Sequence, residues 1–143
     1  MLAEETTNEI LRGNKLLLDK QINSNVIRNI VETCARSQKN KRFLNLLCSL
    51  CSCNEEAISS NQDDICDLLL EEEDFTSILM KINTRQGLGM QKIHEVILTE
   101  DKNSDIPNKL EIEKLFDYFK QKGDLTMYYY FESMCKLVSL MCL

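Results

Sequence analysis

The 143-residue sequence has few residues that interrupt helices, with one proline and four glycines. Folds made of strands and tight turns use more of both, so this scarcity argues against them and predicts long helices. The sequence also has no run of 18 apolar residues and no basic, apolar leader. We therefore expect neither a membrane-spanning segment nor a secretion signal in this stretch.

The sequence also lacks an excess of positive charge, since 17 Lys and Arg stand against 23 Asp and Glu, a net charge of −6. The basic residues are scattered, and their densest group, Lys39, Lys41 and Arg42, falls in a link that we expect to be solvated. A nucleic acid partner needs a basic surface that follows its phosphates, so none is expected. The length is typical of one domain.

The cysteines are odd in number, seven in total, which in a chain of this composition is typical of an intracellular protein with reduced thiols. Cys48 and Cys51 have the C-x-x-C spacing of metal and redox sites. On a helix, however, Cys53 lies about 140° around the axis from Cys48, so three thiolates do not meet at one ion. We expect no metal site. Cys48, Cys51 and Cys66 are interpreted as small buried side chains, and Cys53, near the end of the helix, as partly exposed.

Catalytic residues are not apparent in the sequence either. His94 is the single histidine, and no Asp or Asn partner is fixed for it by spacing. Gly87 and Gly89 lack the third glycine and the following lysine of a phosphate-binding loop. The adjacent Asp63 and Asp64 suit the start of a helix better than acid–base chemistry. No catalytic residue, metal ligand or cofactor is therefore predicted.

The apolar residues that are present follow helical spacing in two central segments. After the capping cluster Asn23–Asn25, a stripe from Val26 to Cys34 predicts a helix that ends near Ser37. In the next helix, from Phe43 onward, apolar residues cover most of the circumference. We therefore expect it to be the most buried helix. The predicted core consists of Phe43, Leu44, Leu47, Leu50, Cys51, Ile65, Cys66 and Leu69.

Shorter elements are predicted in the flanking segments. Two short helices are expected within residues 2–20, another helix is capped by Ser59–Asn61, and a further short helix covers Phe75–Ile82 after an acidic run. Residues 83–90 predict a loop because they contain two glycines, and the alternation over 93–98 fits a short strand or a helical turn.

Two helices are predicted toward the end of the sequence. Pro107 suits the first position of a helix that runs to Gly123, which is predicted to be its C-cap. Residues 125–143 are strongly apolar, and the consecutive Tyr128–Tyr130 point in three directions on a helix. We interpret these tyrosines as core and helix-packing surface rather than as a platform that stacks bases.

The predicted fold class is all-α. It consists of stacked helix pairs of the armadillo type, with a loop over residues 83–106 and one short strand or hairpin near 91–105. A compact helical bundle is the alternative. Because the sequence begins and ends inside apolar segments, we expect it to be a piece of a longer polypeptide.

A helix that reads R-F-L-x-x-L-x-x-L-C leads into a turn of small residues and then into an N-Q-x-x-I-C segment. The residues of this pattern are Arg42, Phe43, Leu44, Leu47, Leu50, Cys51, Ala57, Ile58, Asn61, Gln62, Ile65 and Cys66. Their order and spacing resemble the inositol trisphosphate receptor and ryanodine receptor family of intracellular calcium-release channels. The flanks, residues 2–20 and the stretch with Tyr129, Met134, Cys135 and Leu137, are similar to the inositol trisphosphate branch, whereas CSLCSCN and SNQD look more like the ryanodine side.

The resemblance implies that residues 1–143 are one armadillo-like helical (RIH-type) domain of a large channel protein. It implies a non-catalytic segment that couples ligand binding to gating, on the cytosolic face of the endoplasmic reticulum. The implied partners are the adjacent trefoil and helical domains of the same chain, within a homotetramer. No ligand-binding residue is carried over, since the phosphate-binding cluster of that family precedes the stretch that matches Met1. The alternative is a free-standing armadillo or HEAT adaptor that binds peptides.

Overall fold

The computed structural model describes residue 6, residues 22–53 and residues 55–142. The two short helices predicted within residues 2–20 lie outside the described residues. The chain divides into two compact units: the first comprises the chain up to Leu79 together with Tyr129–Leu143, and the second is Met80–Tyr128. The assignment of all 143 residues to a single domain stays a prediction.

The described elements combine helices with short strands. In chain order they are α1 (Ser24–Arg36), α2 (Lys41–Cys51), β1 (Ser52–Cys53), β2 (Glu56–Ala57), α3 (Ser59–Glu71), a 3₁₀ helix (Glu73–Ile78), β3 (Ile82–Gln86), β4 (Lys92–Ile97), β5 (Lys109–Glu111), a second 3₁₀ helix (Ile112–Lys114), α4 (Leu115–Lys122) and α5 (Thr126–Met141).

Side-chain caps define the first helix of the first unit. Asn23 Oδ1 accepts a hydrogen bond from the Val26 N–H at 3.1 Å, so α1 begins where its first free donors are satisfied. At the other end the Ser37 N–H donates to the carbonyls of Thr33 and Cys34. The helix predicted from Asn23 to Ser37 is therefore confirmed.

The core of the first unit lies between the apolar faces of its helices. Val31 of α1, Leu47 of α2, Leu69 of α3 and Leu137 of α5 are each at most 1% exposed. Burial of this kind stabilises a domain by about 25 cal/mol for each Å² of apolar surface removed from water. The unit is thus held by helix packing, as expected for segments with a period of three to four residues.

The second unit contains a three-stranded antiparallel sheet in the order β3-β4-β5. Its strands are joined by charges: Arg85 Nε lies 2.8 Å from Glu95 Oε1, and Arg85 Nη2 lies 3.0 Å from Glu111 Oε1. Lys109 Nζ is 3.7 Å from the same Glu95 oxygen, which belongs to a buried side chain. Each strand therefore contributes a charged partner, which is consistent with polar residues at these strand positions.

The all-α prediction is wrong, because the described chain contains this sheet and the two-stranded antiparallel hairpin β1-β2. The sequence of β3, Ile-Asn-Thr-Arg-Gln, shows no alternation of apolar and polar residues, and all five residues are exposed. Without that alternation the usual signal of a half-buried strand is missing. The enclosed helix predicted from Phe43 onward ends at Cys51, where the hairpin β1-β2 begins.

Several smaller predictions were tested by the structure. Instead of a helix over Phe75–Ile82, a 3₁₀ helix ends at Ile78, and β3 occupies the first half of the loop predicted over residues 83–90. Pro107 does not begin a helix, since it precedes β5. Gly123 is the C-cap of α4, as predicted, with φ of +74°, a left-handed conformation in which glycine has no steric penalty.

Candidate functional site

Among the residues of the first unit that the structure describes, Lys39 lies at the centre of a connected site in the link between α1 and α2. Its backbone is left-handed, with φ of +40°, and its side chain is half-buried. Lys39 Nζ donates a hydrogen bond of 2.7 Å to the carbonyl oxygen of Ser77, at the end of the 3₁₀ helix. The same ammonium lies 5.1 Å from the centre of the Tyr130 ring, within cation–π range.

Tyr130 supplies the contribution of α5 to this site. Its hydroxyl donates a hydrogen bond of 2.6 Å to the carbonyl oxygen of Ile78, and the side chain is 2% exposed. Burial raises the pKa of this hydroxyl, so it stays protonated and acts as a donor. Lys39, Tyr130 and the carbonyls of Ser77 and Ile78 are here called the Lys39–Tyr130 junction.

A cavity of about 270 Å³ adjoins the Lys39–Tyr130 junction, and Cys34 of α1 lines it. Burial raises the pKa of the Cys34 thiol to about 11, and the nearby Lys39 only partly opposes this. Burial also lowers the pKa of Lys39, while Cys34 works in the opposite direction. The thiol is therefore protonated near neutral pH and is a poor nucleophile, so the junction is suited to joining elements rather than to chemistry.

Two further buried amides join helices to backbone carbonyls in the same unit. Asn61 Nδ2 donates to the Leu50 oxygen at 2.9 Å, and Gln62 Nε2 donates to the Leu140 oxygen at 2.7 Å. Since both acceptors lie near helix ends, these bonds satisfy carbonyls that have no partner within the helix. Together they connect α3 to α2 and to α5.

An ion pair connects α1 to the end of α3 on the surface of the same unit. The guanidinium of Arg28 donates two hydrogen bonds, of 2.9 and 2.7 Å, to the two carboxylate oxygens of Glu72. It also lies 5.9 Å from the centre of the Phe75 ring. The paired, fork-like geometry fixes the orientation of both side chains.

The predicted core residues have different degrees of burial. Leu44, Leu47, Leu50, Cys51, Ile65 and Leu69 are buried, whereas Phe43 and Cys66 are half-buried. Cys53 was expected to be partly exposed, and this prediction is wrong, since it is 2% exposed. The helix ends at Cys51, and the chain continues into β1, which changes the direction of the Cys53 side chain.

Sequence reasoning missed the residues that connect the helices. The sequence pattern predicts a solvated link at Lys39 and a helix cap at Ser59–Asn61. In the structure α3 begins at Ser59 and has no side-chain cap, so the Asn61 amide is available to Leu50. For Tyr130 the aromatic run indicated burial, but only the fold shows which carbonyl its hydroxyl reaches.

His94 and the cysteines of the C-x-x-C pair belong to different compact units. The exposed His94 has its Nδ1 3.0 Å from Thr84 Oγ1, while Cys48 and Cys51 lie in the core of the first unit. Among the residues that the structure describes, no group of three His, Cys, Asp or Glu side chains could hold a metal ion. Within the same residues, no helix combines the length and apolar character needed to cross a membrane.

Comparison with known proteins identifies the class of this chain. The family model described as RIH domain, of the ryanodine and inositol trisphosphate receptors, matches residues 1–83, which is more than half of the sequence. The chain therefore belongs to the RIH-domain family of these receptors. It is similar to the inositol 1,4,5-trisphosphate receptor itr-1 of Caenorhabditis elegans, with 27% identity over 131 residues. The alignment covers 87% of this chain but 4% of the length of that relative.

Proposed function

We propose that this chain is a non-catalytic segment of an inositol trisphosphate receptor-type calcium-release channel, in which it passes movement from the ligand-binding region toward the gate. The match to the RIH domain over residues 1–83 carries this proposal. The similarity to a receptor for inositol 1,4,5-trisphosphate supports the choice of branch. We place the segment on the cytosolic side of the endoplasmic reticulum membrane.

The contacts inside the first unit support a mechanical role. The Lys39–Tyr130 junction connects the α1–α2 link, the 3₁₀ helix and α5. Gln62 adds a bond from α3 to α5. Packed elements joined in this way shift as a body rather than deform continuously, so a displacement applied to one helix moves the others.

The partners in this proposal are other parts of the same polypeptide. The stretch of the worm receptor that matches this chain is 4% of that receptor's length. Most of such a receptor therefore consists of other segments. We propose that these neighbours are the trefoil and helical domains of a homotetrameric channel. The unit then has to transmit force between covalently connected neighbours and needs no ligand of its own.

A chimaeric receptor tests this proposal. The matching segment of the worm receptor is replaced by this chain and expressed in cells that lack their own inositol trisphosphate receptors. Binding of inositol trisphosphate and release of stored calcium are then measured separately. We expect the chimaera to bind and to release, whereas a receptor with a flexible Gly-Ser segment of equal length should bind without release.

Variants of the chimaera separate coupling from folding. Tyr130→Phe removes the hydroxyl bond to Ile78 and should lower the calcium release obtained at a given ligand occupancy. Tyr118→Phe, at a half-buried tyrosine outside the junction, should leave it unchanged. A chimaera that assembles and binds ligand but never releases calcium would contradict the proposed function.

A further inference from the structure

The strand β3 lies at an edge of the sheet in the second unit. Two hydrogen bonds to the β4 side show which of its residues face that strand: the Ile97 N–H donates to the Lys81 oxygen at 2.9 Å, and the Gly87 N–H donates to the Gln91 oxygen at 2.8 Å. In an antiparallel ladder such pairs recur at every second residue. The odd-numbered residues from Lys81 to Gly87 therefore bond to β4.

The backbone groups of Ile82, Thr84 and Gln86 consequently point away from β4. Within the part of the chain that the structure describes, no strand lies on that side of β3, and all five of its residues are exposed. Natural edge strands are usually protected by lysine, proline or a bulge. The charge within β3 is Arg85, and its guanidinium is held by Glu95 and Glu111.

We propose that the open edge of β3 pairs in antiparallel fashion with β3 of a second copy of this chain, around a two-fold axis at Thr84. This register places Thr84 opposite Thr84 and Ile82 opposite Gln86 of the other copy. It also places Arg85 opposite Asn83, so that no like charges face each other directly. The register pairs Thr84 with the same residue of the other copy, a hydroxyl pair that occurs across antiparallel strands, and it relates the two halves of the strand symmetrically, as a two-fold interface requires.

The hairpin between β3 and β4 adds an apolar contact at each end of this interface. Leu88 and Met90 at its tip are 96% and 95% exposed, and Ile82 at the start of β3 is 49% exposed. Antiparallel pairing brings the tip of one copy next to Ile82 of the other. Because side chains of this size are rarely left fully in water together, the same symmetric arrangement that pairs the backbones also covers them.

The interface is small, since it consists of one strand pair and two apolar ends. Interfaces below about 1,200 Å² are usually weak and transient. The association is therefore expected to depend on concentration. This inference concerns the second unit and does not rest on the proposed receptor function.

Sedimentation equilibrium of the whole chain tests the proposal over about two decades of concentration, because a weak dimer forms by mass action. A reducing buffer prevents disulfides through the exposed Cys135 and Cys142. Thr84→Pro removes the outward N–H, and proline is tolerated where an edge strand faces solvent. The matched control Thr84→Val keeps that N–H and loses the same hydroxyl, which lies 3.0 Å from His94 Nδ1.

The wild-type chain and Thr84→Val should form dimers as concentration rises, whereas Thr84→Pro should associate at least about tenfold more weakly, the equivalent of about 1.4 kcal/mol. If Thr84→Pro does not fold, the double variant Leu88→Ser with Met90→Ser serves instead, since both side chains are exposed. It should also weaken association. A wild-type chain that stays monomeric throughout, or a dimer that Thr84→Pro and the tip variant leave unchanged, would overturn the proposal.

Discussion

Tyr130 illustrates at the scale of one residue how a hydroxyl can join two elements. Tyr130→Phe keeps the buried ring and its contact with Lys39 but leaves the Ile78 carbonyl without its donor. We expect a loss of about 1 to 3 kcal/mol in the free energy of unfolding, the usual cost of a buried polar group without a partner. Urea titration followed by circular dichroism measures it. Tyr118→Phe is the control, and equal effects of the two changes would contradict the role of this hydroxyl.

Lys39 and Lys102 both stand in polar stretches of the sequence but differ in their surroundings. Its ammonium bonds to Ser77 and lies over Tyr130, whereas Lys102 is exposed. Lys39→Met retains the apolar stem and removes the charge, so we expect a loss of about 1 to 2 kcal/mol. Lys102→Met should stay within about 0.5 kcal/mol. Similar denaturation midpoints for the two variants would indicate that Lys39 is a solvated surface residue.

At the scale of one element, α2 has six buried side chains among its 11 residues: Leu44, Leu46, Leu47, Cys48, Leu50 and Cys51. Leu47 is 0% exposed, so Leu47→Ala removes buried methyl groups and leaves a cavity. A loss of about 2 to 5 kcal/mol is expected from denaturant titration. Leu70→Ala in α3 is the matched control, since Leu70 is 60% exposed, and its effect should be within about 0.5 kcal/mol. A mild effect at both positions would mean that α2 is not central to the core.

The behaviour of the whole molecule at high pH follows from its buried thiols. Burial raises the pKa of Cys34 and of Cys48 to about 11 and that of Cys51 to about 12, from an ordinary value near 9. The folded chain therefore keeps these protons at pH values where the unfolded chain releases them. The stabilisation is complete below about pH 9 and is lost as the pH rises toward 11 or 12.

We predict that the free energy of unfolding falls between about pH 9 and 11, by up to about 1.4 kcal/mol per pH unit for each thiol. Urea titrations in reducing buffer at several pH values measure this slope. Cys51→Val, which removes the thiol with the largest shift, should make the slope smaller while leaving other titrating groups in place. An identical slope in the variant would show that Cys51 does not hold its proton more tightly in the folded chain.

The sequence by itself determined the elements whose signals are local. Asn23 caps α1, and the apolar stripe that follows it predicts the rest of that helix. Apolar residues around most of the circumference after Phe43 predict α2, and Gly123 ends α4. The pattern in residues 41–70 also indicated the receptor family to which the chain belongs. These features depend on neighbours within a few positions, where helix geometry fixes which side chains share a face.

Tertiary structure alone decided the strand β3 and the Lys39–Tyr130 junction, whereas the alternation over 93–98 fits the strand β4. Strand β3 has no buried face, so its pairing with β4 depends on partners about ten positions away and not on an alternating pattern. The junction joins Lys39 to Ser77, and Tyr130 to Ile78, across 38 and 52 positions. Contacts across such distances have no period in the sequence, because they form only after the helices have packed and brought a donor to a particular carbonyl.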